Sequence, residues 1–265
     1  MDLEGVKRFV LSRRAFDGGF AFCQPLPSSL PETYYAVYVL KALGEDVEEK
    51  EELVQFLHSK LGSDVYSIFY VLKTLSMLRE KLPDLSDLLD RRLEEAMGRE
   101  HGDLSYEVGI TATYSFENPN VLREIYMIVE SLRLLGRDVN VKDFVERFRK
   151  NGGYGVGRAN LKDTFYAVSV VGGDGKVVRF VLEHECDEGG FAKHPHSYPP
   201  YLEDTYHALS IFDMLGYDYK SHKTVRYVES LQNPDGGFRR SIYLGISTLE
   251  DTFYAVASLK MLGEI

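Results

Sequence analysis

The stretch VRYVESLQNPDGGFRRSIYLGISTLEDTFYAVASLKMLG, residues 225–263, contains the pattern that decides the fold. An amphipathic segment is followed by a Gly-Gly-Phe turn, a polar linker and an apolar segment that ends at Gly263. The apolar segment has few charges on any side, which is typical of a helix buried over most of its surface. A glycine at its end can take the left-handed conformation that terminates a helix. This stretch predicts a hairpin of one outer, amphipathic helix and one inner, apolar helix.

The same pattern returns along the chain, as it does in repeat architectures. The turn has four clear copies, FDGGF (16–20), NGGY (151–154), EGGF (188–191) and PDGGF (234–238). The apolar segment has six copies, each with an acid near its start: Glu32, Asp64, Glu124, Asp163, Asp204 and Asp251. An aromatic residue follows each acid by two positions, and a glycine follows by 12 positions except at Ser76.

Six such hairpins can close into a barrel with the apolar helices inside. We therefore predict an all-α fold, an α/α toroid in which a six-hairpin barrel has an inner ring and an outer ring of six helices each. An open solenoid is the alternative, but its terminal repeats need polar caps, and the last copy is as apolar as the others. The prediction is a single domain, 1–265, with repeats at about 1–47, 48–83, 84–139, 140–175, 176–219 and 220–265.

Composition restricts the class of function. A net charge of −10 argues against a nucleic-acid partner, because affinity for phosphates comes from clustered Lys and Arg. We expect no membrane span and no signal peptide, since the sequence contains neither pattern. Only Cys23 and Cys186 are present, which fits a reducing compartment. We expect a cytoplasmic protein, and the many Lys and Glu residues with few Gln are weakly typical of a thermophile.

The repeated acids have a structural interpretation. Ser29 and Glu32, and likewise Thr248 and Asp251, have the spacing of a helix cap followed by a first-turn acid, and Asn160 with Asp163 is a close variant. An acid in the first turn also meets the positive end of the helix dipole. The fifth copy differs, because Tyr201 at the cap position has no short side-chain oxygen. Asp204 therefore has the strongest claim to a functional role.

The repeat resembles that of a known family. Outer helix, D-G-G-F, linker and D-T-Y-x-A-L resemble the repeat shared by the β subunits of protein prenyltransferases and by squalene and hopene cyclases, whose fold is an α/α toroid. The stretch VRYVESLQNPDGGF (225–238) also resembles the Gln-and-Trp motif of the triterpene cyclases, with Phe238 in place of Trp. The resemblance covers the whole chain. It implies the fold more narrowly than the function, because one fold serves several chemistries.

The resemblance lets the zinc ligands of the prenyltransferases be transferred by position. That family uses an Asp at the inner-helix acid position, a Cys two residues later and a His at the acid position of a later repeat. The corresponding residues are Asp204, Tyr206 and Asp251. Because zinc favours thiolate and imidazole, we expect neither a zinc cofactor nor standard zinc-dependent prenyl transfer.

The diphosphate pocket of the family differs here in the same way. Its basic residues correspond to Tyr198 and Tyr201, and the Tyr that follows the acid by three corresponds to His207. A diphosphate leaving group would therefore meet few cations. The Asp-x-Asp-Asp proton donor of the cyclases and the Cys-Gly-Glu-Gln motif of the complement-type toroids are both absent.

The aromatic wall of the family cavity is retained. The resemblance implies that positions two, three and six after the acid line the centre, where aromatic rings suit an apolar chain such as an isoprenoid. The same rings could instead fill a centre too narrow to be hollow. The candidate ligand-binding residues are Tyr34, Tyr66, Tyr166, Tyr206, Phe253 and Tyr254, and the candidate catalytic residues at the rim are Asp204, His207 and Asp251.

The fifth repeat has a second feature, four side chains of metal-ligand type in a short span: His184, Cys186, His194 and His196. A hairpin would bring them to the rim near Asp204, although their spacing matches no known metal motif and exposed histidines are commonly only polar. We therefore name no metal ligands, and a metal site here remains an alternative.

Four functions remain open from the sequence. The first is a prenyltransferase-like or cyclase-like toroid that binds an isoprenoid or another apolar small molecule, and the second is an active enzyme of that class with a rewired site around Asp204. The third is a non-catalytic interaction scaffold, possible because the prenyltransferase β subunits pair with a helical partner subunit. The fourth is a glycoside hydrolase or lyase on a six-hairpin barrel, although such enzymes commonly grip sugars with Trp, which this chain lacks.

Overall fold

The computed structural model describes residues 1–99, 120–243 and 245–265, so part of the third predicted repeat lies outside the described residues. Apolar helices alternate with amphipathic ones along the chain. The inner helices are α2 (Leu30–Ala42), α4 (Val65–Met77), α6 (Val121–Leu134), α8 (Leu161–Val171), α10 (Leu202–Met214) and α12 (Leu249–Met261). The outer helices are α1 (Leu3–Leu11), α3 (Lys50–Lys60), α5 (Ser86–Gly98), α7 (Lys142–Val145), α9 (Gly175–Leu182) and α11 (His222–Ser230). The predicted α/α toroid is confirmed.

The ring is closed between the first and the last repeat. Each inner helix packs on the next, and α12 packs on α2. The amino group of Met1 forms an ion pair of 3.1 Å with Glu229 on α11. Gln232 exchanges two hydrogen bonds of 2.8 Å with the backbone of Asp2. These contacts across the two ends of the described chain exclude the open solenoid.

A threonine fixes the turn to the inner helix in four repeats. In the last one, the N–H of Phe238 donates to the Thr252 hydroxyl at 3.1 Å, and that hydroxyl donates to the carbonyl of Thr248 at 2.6 Å. The aromatic side chain of the turn is fully buried. The equivalent donations are Phe20 to Thr33, Tyr154 to Thr164, and Phe191 to Thr205. The Thr of the repeated D-T-Y pattern is therefore the link between turn and helix.

The paired glycines of the turn serve two different purposes. Gly236 has a φ of +92°, which a side chain would make strained. A Cβ on the next residue, Gly237, would lie 2.8 Å from the ring of Phe9 on α1. In the other three turns the second glycine packs in the same way on an aromatic residue of the next outer helix, namely Phe56, Phe180 and Tyr227. The turn thus holds neighbouring hairpins together.

The second repeat departs from the predicted register by three residues. Asp64 is the N-cap of α4 and accepts from the N–H of Ser67 at 2.8 Å, so the third helical position belongs to Ser67. The same shift explains the missing glycine at Ser76, because Arg79, with a φ of +57°, takes the left-handed position after the helix. Asp64 thus marks the start of α4 as its cap, and the prediction that this acid lies inside the first turn was wrong.

The fourth repeat is also shorter than expected. The outer helix α7 stops at Val145, and a single 3-10 turn at Glu146–Phe148 leads into strand β1 (Arg149–Lys150). This strand pairs antiparallel with β2 (Gly153–Tyr154). The inner helix α8 ends at Val171 with Gly172 at a φ of +74°, whereas Gly175, the predicted helix stop, begins the next outer helix.

Candidate functional site

The first turns of the inner helices meet around one central opening, and their sixth residues form a layer just inside it. These residues are five tyrosines and one histidine, Tyr35, Tyr70, Tyr126, Tyr166, His207 and Tyr254. Their neighbours at the fifth position add further rings, including Tyr34, Phe69, Phe165, Tyr206 and Phe253. The rings are in mutual contact, with centroid separations such as 5.2 Å between Tyr206 and Phe253. Side chains therefore fill most of the centre.

A small cavity remains among these rings. It has a volume of about 80 Å³ and is lined by the aromatic layer, with Arg123, Lys162 and Glu250 at its upper edge. Ligand sites for drug-sized molecules are commonly about 300–1,000 Å³, so this cavity alone has room for a few waters or one end of a larger molecule. The centre is thus largely filled by side chains but retains a small hollow.

A larger space, the vestibule, adjoins this cavity. Its volume is about 470 Å³, and it shares Tyr35, Tyr70, Arg123 and Glu250 with the cavity, which places the two spaces side by side. The other lining residues are Ser29, Leu30, Pro31, Glu32 and Tyr66. The vestibule therefore combines apolar and aromatic walls with two carboxylates and one guanidinium.

Of the predicted ligand-binding residues, five line the central cavity: Tyr34, Tyr166, Tyr206, Phe253 and Tyr254. Tyr66 lies elsewhere, because the register shift of the second repeat makes it the second residue of α4. Its side chain is 42% exposed and lines the vestibule. Tyr70, six positions after Asp64 and so among the positions expected to line the centre, occupies the layer position in this repeat.

The predicted helix caps are present, but the acids that follow them by three residues differ in their hydrogen bonds. The side chains of Ser29, Asn160 and Thr248 each accept a hydrogen bond from the backbone N–H of the acid three residues later. Asp251 in turn accepts from the Thr248 hydroxyl at 2.8 Å. Asp163 accepts from the side-chain amides of Asn160 and Asn120. A capping role therefore accounts for Asp163 and Asp251.

Unlike Asp163 and Asp251, Glu32 has a carboxyl group whose position is not explained by helix capping. Ser29 caps its helix, but the Glu32 Oε2 atom is buried and has no hydrogen-bond partner among the described residues. Burial raises the pKa of Glu32 to about 7, and the negative charge of Glu250 adds to this effect. Sequence reasoning assigned Glu32 a capping role only, because its neighbours in the ring could not be known from local spacing.

The predicted exception at Asp204 is also found. Tyr201 makes no side-chain cap to α10. The pKa of Asp204 is raised to about 7, mainly by burial and secondly by repulsion from the negative charge of Glu203. For Asp251 burial likewise raises the pKa, to about 6, against the opposing effect of the Thr248 hydroxyl. Neither Asp204 nor Asp251 lines the cavity or the vestibule, so both carboxyls lie at the rim rather than in the hollow.

Two further glutamates at the rim were missed by the sequence analysis. Glu250 accepts hydrogen bonds from the hydroxyls of Tyr35 at 3.1 Å and Tyr254 at 2.9 Å. Glu203 lies 3.0 Å from Lys162 and 3.9 Å from Arg240. Each is the second residue of its inner helix, adjacent to the aligned acid, and the alignment drew attention to that acid instead.

His207 is the most deeply buried polar side chain facing the centre. It is 3% exposed, and its ring lies 5.0 Å from Phe165 and 5.4 Å from Tyr206. No described residue forms a hydrogen bond with its Nδ1 atom. Burial lowers the pKa of His207 to about 3, so the imidazole is neutral at physiological pH and is a poor general base.

The potential metal ligands of the fifth repeat are dispersed. His184 is buried, with Nδ1 2.8 Å from the carbonyl oxygen of Phe180, whereas His194 and His196 are exposed. Cys186 is buried, and its thiol lies 3.5 Å from the carbonyl of Ser197. Within 1–99, 120–243 and 245–265, no three His, Cys, Asp or Glu side chains form a group able to hold a metal ion.

None of the helices in the described part of the chain is long and apolar enough to cross a membrane.

The closed ring of helix pairs around an aromatic centre places this protein in the class of α/α toroid proteins. Residues 1–64 and 105–265 match the prenyltransferase alpha-alpha toroid domain, and the chain belongs to that family. Among solved structures it is similar to Candida albicans protein geranylgeranyltransferase-I complexed with GGPP, with a TM-score of 0.71 and 15% identity. That match covers 98% of this chain and 91% of the other. No curated protein sequence matches the chain significantly.

The residues at the positions of the family's zinc ligands do not fit zinc. Asp204 and Asp251 are separate rim carboxyls, and between them in sequence Tyr206 offers a phenol in place of a thiolate. The Tyr206 ring packs 5.2 Å from Phe253 and 5.0 Å from Tyr254. Because zinc in proteins prefers thiolate and imidazole, we derive no chemistry through a metal at these residues.

Proposed function

We propose that the protein binds an isoprenoid or a similar apolar chain, which lies in the vestibule and inserts one end into the central cavity. The observation that carries the proposal is that the two spaces share Tyr35 and Tyr70, so that one molecule can contact both. Aromatic rings give an apolar chain a large contact surface. Membership of the prenyltransferase toroid family, and a similar structure that is complexed with GGPP, support this class of ligand.

Native mass spectrometry of protein purified from its own host tests the proposal directly. We expect a bound apolar molecule that is released by organic solvent. Protein that carries no such molecule, and that binds no C15 or C20 isoprenoid added in excess, would overturn the proposal.

A pair of variants locates the bound chain. Tyr66→Ala removes an aromatic wall of the vestibule and should weaken chain binding by about tenfold, which corresponds to ~1.4 kcal/mol. Tyr243→Ala is the matched control, because Tyr243 is 70% exposed and lines neither space. Equal affinities of the two variants would show that the chain binds elsewhere.

A second candidate function is acid catalysis on the bound chain, supported by the geometry of Glu32. This carboxyl lines the vestibule, has a buried oxygen with no hydrogen-bond partner among residues 1–99, 120–243 and 245–265, and has a pKa raised to about 7 by burial. A carboxyl with such a pKa is partly protonated at neutral pH and can donate its proton. Donation to a carbon–carbon double bond uses the π electron pair to form the new C–H bond and leaves a carbocation, which aromatic faces stabilise.

The test is turnover of a labelled isoprenoid in host extract supplemented with purified protein. Glu32→Gln should abolish product, whereas Asp187→Asn, an exposed acid of the fifth repeat, should not change it. Asp204→Asn decides between the two acids. If product disappears with Asp204→Asn but persists with Glu32→Gln, the proton donor is at the rim, as the sequence predicts, and the assignment to Glu32 fails.

A further inference from the structure

His207 interrupts a layer that otherwise consists of tyrosines. It is the sixth residue of α10, where the other inner helices have Tyr35, Tyr70, Tyr126, Tyr166 and Tyr254. The imidazole lines the central cavity, is 3% exposed, and has an Nδ1 atom that finds no hydrogen-bond partner in the part of the chain that the structure describes. A buried polar atom without a hydrogen bond is destabilising, and such atoms in native proteins commonly await water or a ligand.

The charges around the opening disfavour an anionic group. Glu32 and Glu250 both line the vestibule, through which a ligand would reach His207. Lys162, the nearest ammonium at the cavity edge, is engaged by Glu203 at 3.0 Å. The guanidinium of Arg123 lies 5.7 Å from the centre of the Tyr66 ring and has further contacts. A diphosphate here would meet the Glu250 carboxylate, the partly protonated Glu32 and cations that already have partners.

A cationic group is disfavoured at the depth of His207 for a different reason. Burial lowers the pKa of the imidazole to about 3, even though the negative charge of Glu203 favours the protonated form. A positive charge is therefore unfavourable at this depth. A ligand ammonium placed beside it would suffer a similar loss of hydration. The group best suited to this position is therefore polar but uncharged.

Resting on the proposed binding of an apolar chain, we propose that the bound chain carries an uncharged hydroxyl group and that this hydroxyl enters the central cavity and hydrogen-bonds to His207. A hydroxyl can donate to an unprotonated Nδ1 or accept from a protonated one, so it serves either tautomer. The cavity of about 80 Å³ has room for such a head group, and the vestibule of about 470 Å³ has room for the chain behind it. The protein would thus select an isoprenoid alcohol against the diphosphate.

Calorimetric titration with four C15 probes tests this selection: farnesol, farnesylamine, farnesyl diphosphate and the hydrocarbon farnesene. We expect farnesol to bind at least about tenfold more tightly than each of the others, since a well-placed hydrogen bond in a dry site is worth about that factor. Tighter binding of the diphosphate or of the amine overturns the inference while leaving the apolar-chain proposal intact. Binding of none of the four overturns the proposed function itself.

Variants of His207 connect the selection to the imidazole. His207→Phe should reduce the affinity for farnesol about tenfold and leave that for farnesene within about twofold. His207→Gln, which restores a donor and an acceptor, should recover part of the preference for the alcohol. His222→Ala on the exposed face of α11 is the control for histidine loss. Thermal unfolding of each variant confirms that it is folded, and an unchanged ratio of alcohol to hydrocarbon affinity in folded His207→Phe refutes the role of His207.

Discussion

The backbone N–H of Phe238 donates a hydrogen bond of 3.1 Å to the hydroxyl of Thr252, and both groups are buried. The hydroxyl is simultaneously a donor to the carbonyl of Thr248. One side chain therefore satisfies a turn N–H and reinforces the start of α12. In three other repeats the turn N–H likewise donates to a threonine hydroxyl of the inner helix, so this bond is a repeated element of the fold.

Replacement of this threonine should destabilise the protein. Thr252→Val keeps the shape of the side chain but leaves the Phe238 N–H without a partner, and we expect a loss of about 1–3 kcal/mol in the free energy of unfolding. Thr252→Ser retains the hydroxyl and is the matched control. Urea unfolding followed by circular dichroism measures both variants, and a Thr252→Val protein as stable as Thr252→Ser would contradict the role of the hydroxyl.

Ring closure can be tested at the contact of Gly237 with Phe9. In Gly237→Ala the new methyl would lie 2.8 Å from the Phe9 ring and 2.6 Å from the Ser247 Cβ, so the first and last hairpins must separate. We expect a loss of about 1–3 kcal/mol from this overpacking. Gly175→Ala is the control, because nothing lies within 4 Å of a Cβ there and alanine favours the helix it begins. Thermal unfolding should show a lower midpoint for Gly237→Ala alone.

The raised pKa of Asp204 predicts a specific dependence of stability on pH. The folded-state value is about 7, against 3.8 for the unconstrained group, so between these values the folded state binds more protons than the unfolded state. The contribution of this carboxyl to stability is therefore full below about pH 4 and is lost as the pH rises to 7. Asp204→Asn removes the effect, and its stability relative to the parent should rise by about 3 kcal/mol between pH 4 and pH 7.

Chemical unfolding at a series of pH values provides the measurement for Asp204. The variant and the parent must be compared at each pH, because Glu32 and Asp251 contribute pH dependence of the same sign to both proteins. Asp187→Asn should follow the parent throughout. A constant difference between Asp204→Asn and the parent across this range would show that the carboxyl is hydrated.

The lowered pKa of His207 predicts that its imidazole does not titrate in the range where exposed histidines do. NMR spectra of the histidine ring protons should show one resonance that stays unshifted between pH 8 and pH 5, assigned by its absence from His207→Phe. Burial among Phe165, Tyr206 and Tyr254 is the physical reason. A midpoint near 6.5 for this resonance would mean that water fills the centre.

Local sequence spacing was sufficient for several features of the fold. The caps at Ser29, Asn160 and Thr248, and the missing cap at Tyr201, follow from hydrogen bonds within a single helical turn. The second repeat was misplaced because the alignment followed an acid, whereas Asp64 caps the helix from one residue outside it. An aspartate can be either the cap of a helix or an acid in its first turn. Spacing alone does not distinguish these two roles when the rest of the repeat matches the pattern poorly.

The six-hairpin repeat, the alternation of inner and outer helices and the aromatic character of the centre could all be predicted from the sequence, because periodicity and turn residues act over a few neighbouring residues. The tertiary structure alone decided that the centre is mostly filled, that Glu32 lines a vestibule while Asp204 stays at the rim, and that His207 is neutral. These properties depend on burial and charge contributed by helices from every part of the ring. Desolvation and electrostatic interaction act through space, and a linear pattern contains no direct record of them.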